Sequence, residues 1–411
     1  MSDQKPAIDA ADAAVAPRPL DGIKILDFTR FQQGPQATGM LADMGAQVIK
    51  IEEPGRGEHG RRLWRERDGF SGLFEAFNRG KRSLTLDLRR PEAQRIVCRL
   101  AQEADVVAEN FRRGTMERLG FGYERLSRDN PRLIYAAASG YGPRGPLAER
   151  PSYDLIGMAM GGIMVASGGG PQREPRQPLW GLADSTGAMM FAYGIVLALL
   201  ARERFGVGQQ VDVSLLGTQL ALQSPDLTYF LRTGHDSKDR PRSHNFPTFG
   251  HFETARPGEY VALGMLDPRQ WPDACAVLGL EALADDPRFR NGYLRNDNRD
   301  ALEPLLEAAF RRCEREALIE AFNARGIPCG PVYSYADVVQ EPQVFANDYI
   351  VPLQHPRWGT LQAVGLPVQL SRTPGRVAGV APEPGEHSDE VLRELGFDDA
   401  EIAALREAGA I

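Results

Sequence analysis

Through the first 140 or so residues, short apolar runs alternate with amphipathic stretches. Ile23-Lys24-Ile25-Leu26-Asp27-Phe28 reads as a strand, Gln33-Gly34-Pro35 as a break, and residues 37–44 as a helix that exits at Gly45. Gln47-Val48-Ile49-Lys50-Ile51-Glu52 reads as a second strand. Two strands joined by a helix of that length make a βαβ unit and therefore a parallel sheet. The alternation continues with strands at 83–88, 105–111 and 133–138 and a helix over 92–104 opened by Pro91. Proline suits that first turn because its missing N–H would have had no partner there. The expected fold class is α/β, with a Rossmann-like open sheet in the first half.

The longest apolar run, Gly187 to Ala201, follows the polar turn Ala183-Asp184-Ser185-Thr186-Gly187 and ends in Arg202-Glu203-Arg204. It is too short to span a bilayer and predicts a buried core helix. An alternating strand at 210–215 and a helix over 216–230 follow, then a polar, basic linker from Arg232 to Arg242. Beyond the linker the texture changes to a smaller α+β domain. A hairpin over 252–266 turns at Pro257-Gly258, helices cover 270–278 and 299–325, and Gly326-Ile327-Pro328-Cys329-Gly330-Pro331 punctuates the end. The stretch 352–384 is rich in Pro and Gly with a short strand at 361–364, and the tail 389–408 is amphipathic and helical.

Length and composition narrow the function classes. A chain of 411 residues is too long for one compact core and suggests two domains. A hydrophobic share of 42% with 25% charged residues is globular. A net charge of -7 argues against nucleic acid as a partner, which needs a basic stripe, so any anionic ligand must be met by local Arg and Lys. The four cysteines, Cys98, Cys275, Cys313 and Cys329, form no CxxC pair, which argues against a zinc ribbon or a disulfide framework and fits a reducing compartment. Residues 1–19 read as a disordered lead without the basic start and apolar core of an export signal, so a cytoplasmic protein with no membrane partner is expected.

Few motifs carry chemistry. Gly55-Arg56-Gly57-Glu58-His59-Gly60 matches a dinucleotide fingerprint, but it follows the second strand and a charged stretch succeeds it, so a mobile basic loop is expected instead. Five arginines between Arg56 and Arg67 suit phosphate groups or a solvated surface equally. His59, His235, His244, His251, His355 and His387 lack metal-ligand spacing, and no metal is expected. Ser152, Ser185 and Ser214 lack a nucleophile elbow, and Cys329 is expected to pack inside. Asp184 remains. Ahead of an apolar helix it reads first as an N-cap. An N-cap carboxylate is held ionised and aimed by the helix dipole and backbone N–H groups, which also makes it a competent nucleophile toward a thioester. The same N–H groups are candidate oxyanion donors.

The segments GPQATGMLADMGAQVIKIEEPGRGEHGR, FEAFNRGKRSLTLDLRRPEA, DVVAENFRRGTMERLGFGYERL, GLADSTG and GIPCGPV, in this order and spacing, resemble the class III CoA-transferases, the family of formyl-CoA and carnitine CoA-transferases. The resemblance covers nearly the whole chain after the lead. It implies a large Rossmann-like domain from 20–230 plus a return at 336–411, a small α+β domain at 231–335, and a homodimer of interlocked rings. It implies that Asp184 is the catalytic aspartate, acting through an aspartyl anhydride and an aspartyl-CoA thioester. Coenzyme A then enters as substrate, with no separate cofactor. By position, the resemblance puts Phe31 and Gln32 along the CoA channel and Arg61 on a phosphate. Leu86, Asp87 and Leu88 would border the adenine, Asn110, Phe111, Arg112 and Arg118 would contact CoA, and Tyr153 would approach the pantetheine arm. The α-methylacyl-CoA racemases share this pattern but carry a His where Tyr153 stands, which makes racemase the alternative reading; a non-catalytic acyl-CoA-binding subunit is another. No Gly-Gly-Gly loop follows residue 240, so oxalate and formate are not favoured, and a small dicarboxylate such as succinate is what family frequency implies.

Overall fold

The computed structural model describes residues 16–235 and 246–411. Most of the expected lead, most of the Arg232–Arg242 linker and His244 lie outside the described residues. Those residues fall into two compact units.

The first unit takes in 16–162, 178–223 and 342–411. Its centre is a six-stranded sheet of β1 (Lys24–Asp27), β2 (Gln47–Glu52), β3 (Arg82–Thr85), β4 (Val106–Glu109), β5 (Ile134–Ser139) and β6 (Gln209–Ser214). The order is β3-β2-β1-β4-β5-β6, and every pairing is parallel. Successive strand residues point to opposite faces. Leu26, Val107 and Tyr135 thus pack on one side, with helix α3 (Pro91–Glu103) and the tail residues Val391, Leu392 and Ile402. Ile25, Val106, Ala108 and Ala136 pack on the other, with Ala37 and Leu41 of helix α1 (Gln33–Asp43) and Phe191 and Ile195 of the long central helix. The order reverses between β1 and β4, and in such sheets the crevice at the carboxyl ends of those strands is where ligands bind.

Several element boundaries differ from expectation. Helix α1 is Gln33–Asp43 and starts inside the expected break. Pro35 is accommodated in its first turn, where backbone N–H groups have no intrahelical acceptor to lose. Helix α2 is Gly72–Asn78, capped by Ser71. The helices named below are α4 (Asp154–Met160), α5 (Leu182–Phe205) and α6 (Leu215–Leu222). The single helix expected over 216–230 is two, broken at Gln223. Helix α5 closes at Gly206 in the left-handed region (φ 74°). The sequence predicts a buried core helix here. The helix buries one side, including Ala188, Phe191, Ile195 and Leu199, and exposes an equally apolar side, Met189, Tyr193, Leu197 and Leu200.

The second unit takes in 163–177 and 224–341, so the segment 163–177, read from sequence as part of the first domain, belongs to it. A three-stranded antiparallel sheet, β7 (Phe249–Glu253), β8 (Tyr260–Gly264) and β9 (Cys329–Pro331), packs against α7 (Trp271–Leu278), α8 (Arg299–Phe310) and α9 (Arg315–Asn323). Phe252, Phe310 and Phe322 stack through its core, and Cys329 is buried there with its thiol pushed up to about 11 by burial. The return of the first unit carries the hairpin β10 (Ile350–His355) and β11 (Gly359–Val364) and the tail helices α10 (Ser388–Glu394) and α11 (Asp399–Glu407).

Candidate active site

Helix α5 runs from the carboxyl edge of the sheet back to the start of β6, so its N-terminal turn lies over the carboxyl edge, beside the loops that leave β1 and β5. Asp184 sits in this turn, but it is not the N-cap. The helix begins two residues earlier, at Leu182, and Gly181 in the left-handed region (φ 77°) precedes it. The N–H groups expected to serve Asp184 are taken by another carboxylate. Asp154, the first residue of α4, accepts from the N–H of Gly181 (2.8 Å), Ala183 (2.8 Å) and Asp184 itself (3.1 Å). The Asp184 carboxylate makes no hydrogen bond among the described residues. It is half-buried, and burial first, then the like charge of Asp154, pushes its pKa up to about 7. The expectation of a dipole-ionised cap, with the same N–H groups free for an oxyanion, is thereby replaced. Those donors are occupied, and the carboxylate is left bare in an environment that disfavours its charge.

The loop after β1 closes on this turn. The Gln32 side chain donates from Nε2 to the Gly181 carbonyl (3.2 Å) and to Ser185 Oγ (2.9 Å), and its buried Oε1 has no partner among the described residues. Phe31 adopts φ 67°, uncommon for a non-glycine residue. Its ring meets Tyr153 edge-on at 5.7 Å and His59 at 5.8 Å. Phe31, Gln32, Tyr153 and Asp184 are therefore brought together. Tyr153 is 64% exposed, so its phenol is presented to solvent.

What holds this loop was not foreseen. Lys81, fully buried on the connection from α2 to β3, donates to Asp27 (3.0 Å), the Pro35 carbonyl (2.9 Å) and Asn78 (2.9 Å). Lys50, also fully buried, donates to the Thr29 carbonyl (2.8 Å). Burial pushes Lys81 down to about 8 even against Asp27; burial would raise Asp27, but Lys81 and Lys50 outweigh it and hold that carboxyl far below its usual range. Lys50 lies in a strand, where lysine reads as a solvent-facing alternation, and Lys81 just ahead of one; only a buried acid across the loop makes sense of them.

The glycine turn after β2 is anchored rather than mobile. Glu58 accepts from the N–H of Gly60 (2.7 Å) and Phe31 (3.1 Å), while its own N–H donates to Glu52 (2.9 Å). A short 3-10 turn follows, not the helix a dinucleotide site needs. Arg61, expected on a phosphate, grips Glu52 through Nε (2.7 Å) and Nη2 (2.6 Å) and stacks on Phe74 at 3.8 Å. Burial would raise Glu52, but Arg61 outweighs it and holds the carboxyl below its ordinary value.

The other CoA candidates are spread along the sheet edge. Asn110 clips the loop after β1 by accepting from the Arg30 N–H and donating to its carbonyl, both at 2.8 Å, and the Arg30 guanidinium lies 4.5 Å above the Phe111 ring. Glu109, just before them, is pushed up to about 8 by burial. Arg112 and Arg118 are exposed, and Arg118 donates to Thr115 (3.0 Å). Leu86 is a core residue, Leu88 is half-buried, and Asp87 is engaged with Arg89 at 2.8 Å. These three follow β3, three places from β4 in the sheet, or roughly 14 Å at ordinary strand spacing. The fold does not gather them with Asn110 and Phe111.

Residues 20–388 match the family described as CoA-transferase family III. An acyl-CoA transferase from Fusarium pseudograminearum is 37% identical over 95% of this chain and 88% of its own. Succinyl-CoA:glutarate CoA-transferase of mouse is 35% identical over 96% of this chain and 90% of its own. Among solved structures, a CAIB/BAIF family protein from Brucella suis superposes with a TM-score of 0.81 at 33% identity, covering 92% of this chain and 100% of that one.

Proposed function

This chain belongs to CoA-transferase family III and moves CoA from an acyl-CoA thioester to a free carboxylic acid, and we propose that Asp184 carries the transfer. The observation that supports this role is the Asp184 carboxylate itself, half-buried and, among the described residues, free of hydrogen bonds at the mouth of α5. A carboxylate stripped of donors is a stronger nucleophile, and the surrounding protein limits the water that would hydrolyse an anhydride. One Asp184 oxygen attacks the thioester carbonyl, forming a C–O bond as the C–S bond breaks and the electron pair leaves with the CoA thiolate. The thiolate attacks the aspartyl carbonyl of the anhydride and releases the donor acid, leaving a thioester on Asp184. The acceptor carboxylate displaces CoA thiolate from that thioester, and the thiolate then attacks the acceptor acyl carbon and returns Asp184 as a free carboxylate. The Ser185 hydroxyl, which accepts from Gln32 Nε2 and so keeps its own proton to donate, is the polar group offered to the oxyanion beside this turn.

The acceptor is a small dicarboxylate, with succinate on one side of the exchange. The mouse relative named for succinyl-CoA and glutarate supports this choice. The chain acts as an interlocked homodimer, a reading supported by the exposed apolar side of α5, because a helix apolar on both sides needs cover on both.

The test is direct. Incubation with succinyl-CoA should render Asp184 sensitive to hydroxylamine, detected as a modified peptide by mass spectrometry. Asp184→Asn should abolish both labelling and transfer to glutarate. Full transfer by that variant would refute the assignment.

A further inference from the structure

The Asp154 carboxylate is buried, yet among the described residues no Lys, Arg or His pairs with it. What satisfies it is the start of a different helix. Its Oδ2 accepts from Gly181, and its Oδ1 accepts from Ala183 and Asp184, across 27 to 30 residues of chain. These are donors that an α-helix leaves without partners at its N-terminus. In most helices the cap residue or a first-turn side chain takes them. Here Gly181 has no side chain to do so, and the acidic first-turn residue, Asp184, does not.

We infer that Asp154 is a positioning residue for the transfer reaction: by capping α5 in place of Asp184, it leaves the Asp184 carboxylate without a donor among the described residues and sets a like charge beside it. The inference rests on the reading of Asp184 as nucleophile and adds a second acid to it. Two consequences follow from the geometry. The backbone of the nucleophile is fixed, since its own N–H is one of the three bonds. The free carboxylate is also the state that Asp154 repels most. On attack, the negative charge passes from Asp184 to the thiolate sulfur and Asp184 becomes a neutral acyl group. Asp154 therefore disfavours the charged start and favours the neutral anhydride and thioester. The carboxylate that remains after the last step is again the repelled one, so each round starts from the same poised state.

Other groups on the elements packed against α5 do not serve this purpose. Helix α6 carries no ionisable side chain. Asp43 on α1 is paired with Arg79. Tyr135 on β5 and Asp212 on β6 exert no resolved effect on Asp184, whose displacement to about 7 comes from burial and Asp154 alone. Attack needs the ionised form, so transfer in the native enzyme should fall as pH drops through about 7.

The experiment is a pH profile of kcat and KM for succinyl-CoA:glutarate exchange with native enzyme, Asp154→Asn, Asp154→Glu and Asp184→Asn. Asp154→Asn removes the charge, so its acid limb should move to lower pH by about one unit. The loosened turn should lower kcat by roughly ten- to a hundred-fold, with KM for succinyl-CoA little changed because Asp154 is not placed on substrate. Asp154→Glu keeps the charge and should keep its acid limb near that of the native enzyme. Native kcat and an unmoved acid limb in a folded Asp154→Asn enzyme would overturn the inference. If that variant does not fold, the native enzyme still decides: a single-turnover labelling rate whose acid limb lies in the ordinary carboxylate range, below pH 5 or so, would overturn it equally. Transfer retained by Asp184→Asn would instead defeat the nucleophile reading, so the two failures are distinguishable.

Discussion

Arg61 shows how a residue's partner, rather than its type, decides its task. In sequence it is one of five arginines in a basic stretch. In the fold its planar guanidinium meets both oxygens of Glu52 and covers the Phe74 ring, which is what a forked, weakly hydrated cation does well. Arg61→Ala leaves the Glu52 carboxylate buried without its main partner. The expected loss is about 3 kcal/mol of stability, read as a lowered midpoint in urea unfolding. KM for acyl-CoA in the fraction that folds should change little; a large rise in KM at unchanged stability would restore a phosphate role. The same logic governs Asp27, Lys50 and Lys81. Each looks like an ordinary alternating polar residue, and each is fully buried because the loop carrying Phe31 and Gln32 has been pinned from below.

At the scale of elements, the local signals were largely sufficient. Strand β2 spans the six residues expected of it, and the helix opened by Pro91 is present. In the tail, where the expectation merged two helices, a cap was the missing signal. The tail is two helices because Asp398 and Glu401 form a reciprocal capping box, with both bonds at 2.9 Å, just after Gly396 (φ 85°) ends the first. Asp398→Ala should cost about 1 kcal/mol, measurable as a shift in the urea midpoint. Since the Ala410 carbonyl accepts from the Asp87 N–H (2.9 Å), hydrogen exchange at Asp87 should quicken in the same variant. Slowed or unchanged exchange there would show that the tail does not steady the turn after β3. Helix α5 is the other instructive element. Apolarity on every side reads as burial, but burial on one side is all that the described residues supply.

At the scale of the whole molecule, that uncovered side is the clearest sign of assembly. Met189, Tyr193, Leu197 and Leu200 recur at helical spacing on a helix whose other side is the core of the first unit. The proposed homodimer predicts a dimer mass by light scattering for the native chain. Tyr193→Glu together with Leu197→Glu should lower that mass toward 45.2 kDa or prevent soluble expression. An undisturbed dimer carrying both substitutions would place the interface elsewhere. The strand order reinforces the functional reading at this scale, since reversal between β1 and β4 brings the loop after β1 and the Asn110-Phe111 turn to one crevice, clipped by Asn110 and Arg30.

The amino-acid sequence by itself determined the α/β class, most elements, the change of texture toward the second unit and, through resemblance, the family and the singling-out of Asp184. Those are properties of local period and of ordered motifs, and both survive in one dimension. Only the tertiary structure decided which acid caps α5, because Asp154 lies 30 residues from Asp184 and nothing in either neighbourhood encodes the other. It likewise decided that Arg61 belongs to Glu52, and that buried lysines hold the loop of Phe31. A hydrogen bond is chosen by three-dimensional proximity and by the cost of leaving a buried polar group unpaired, and neither is a function of spacing along the chain.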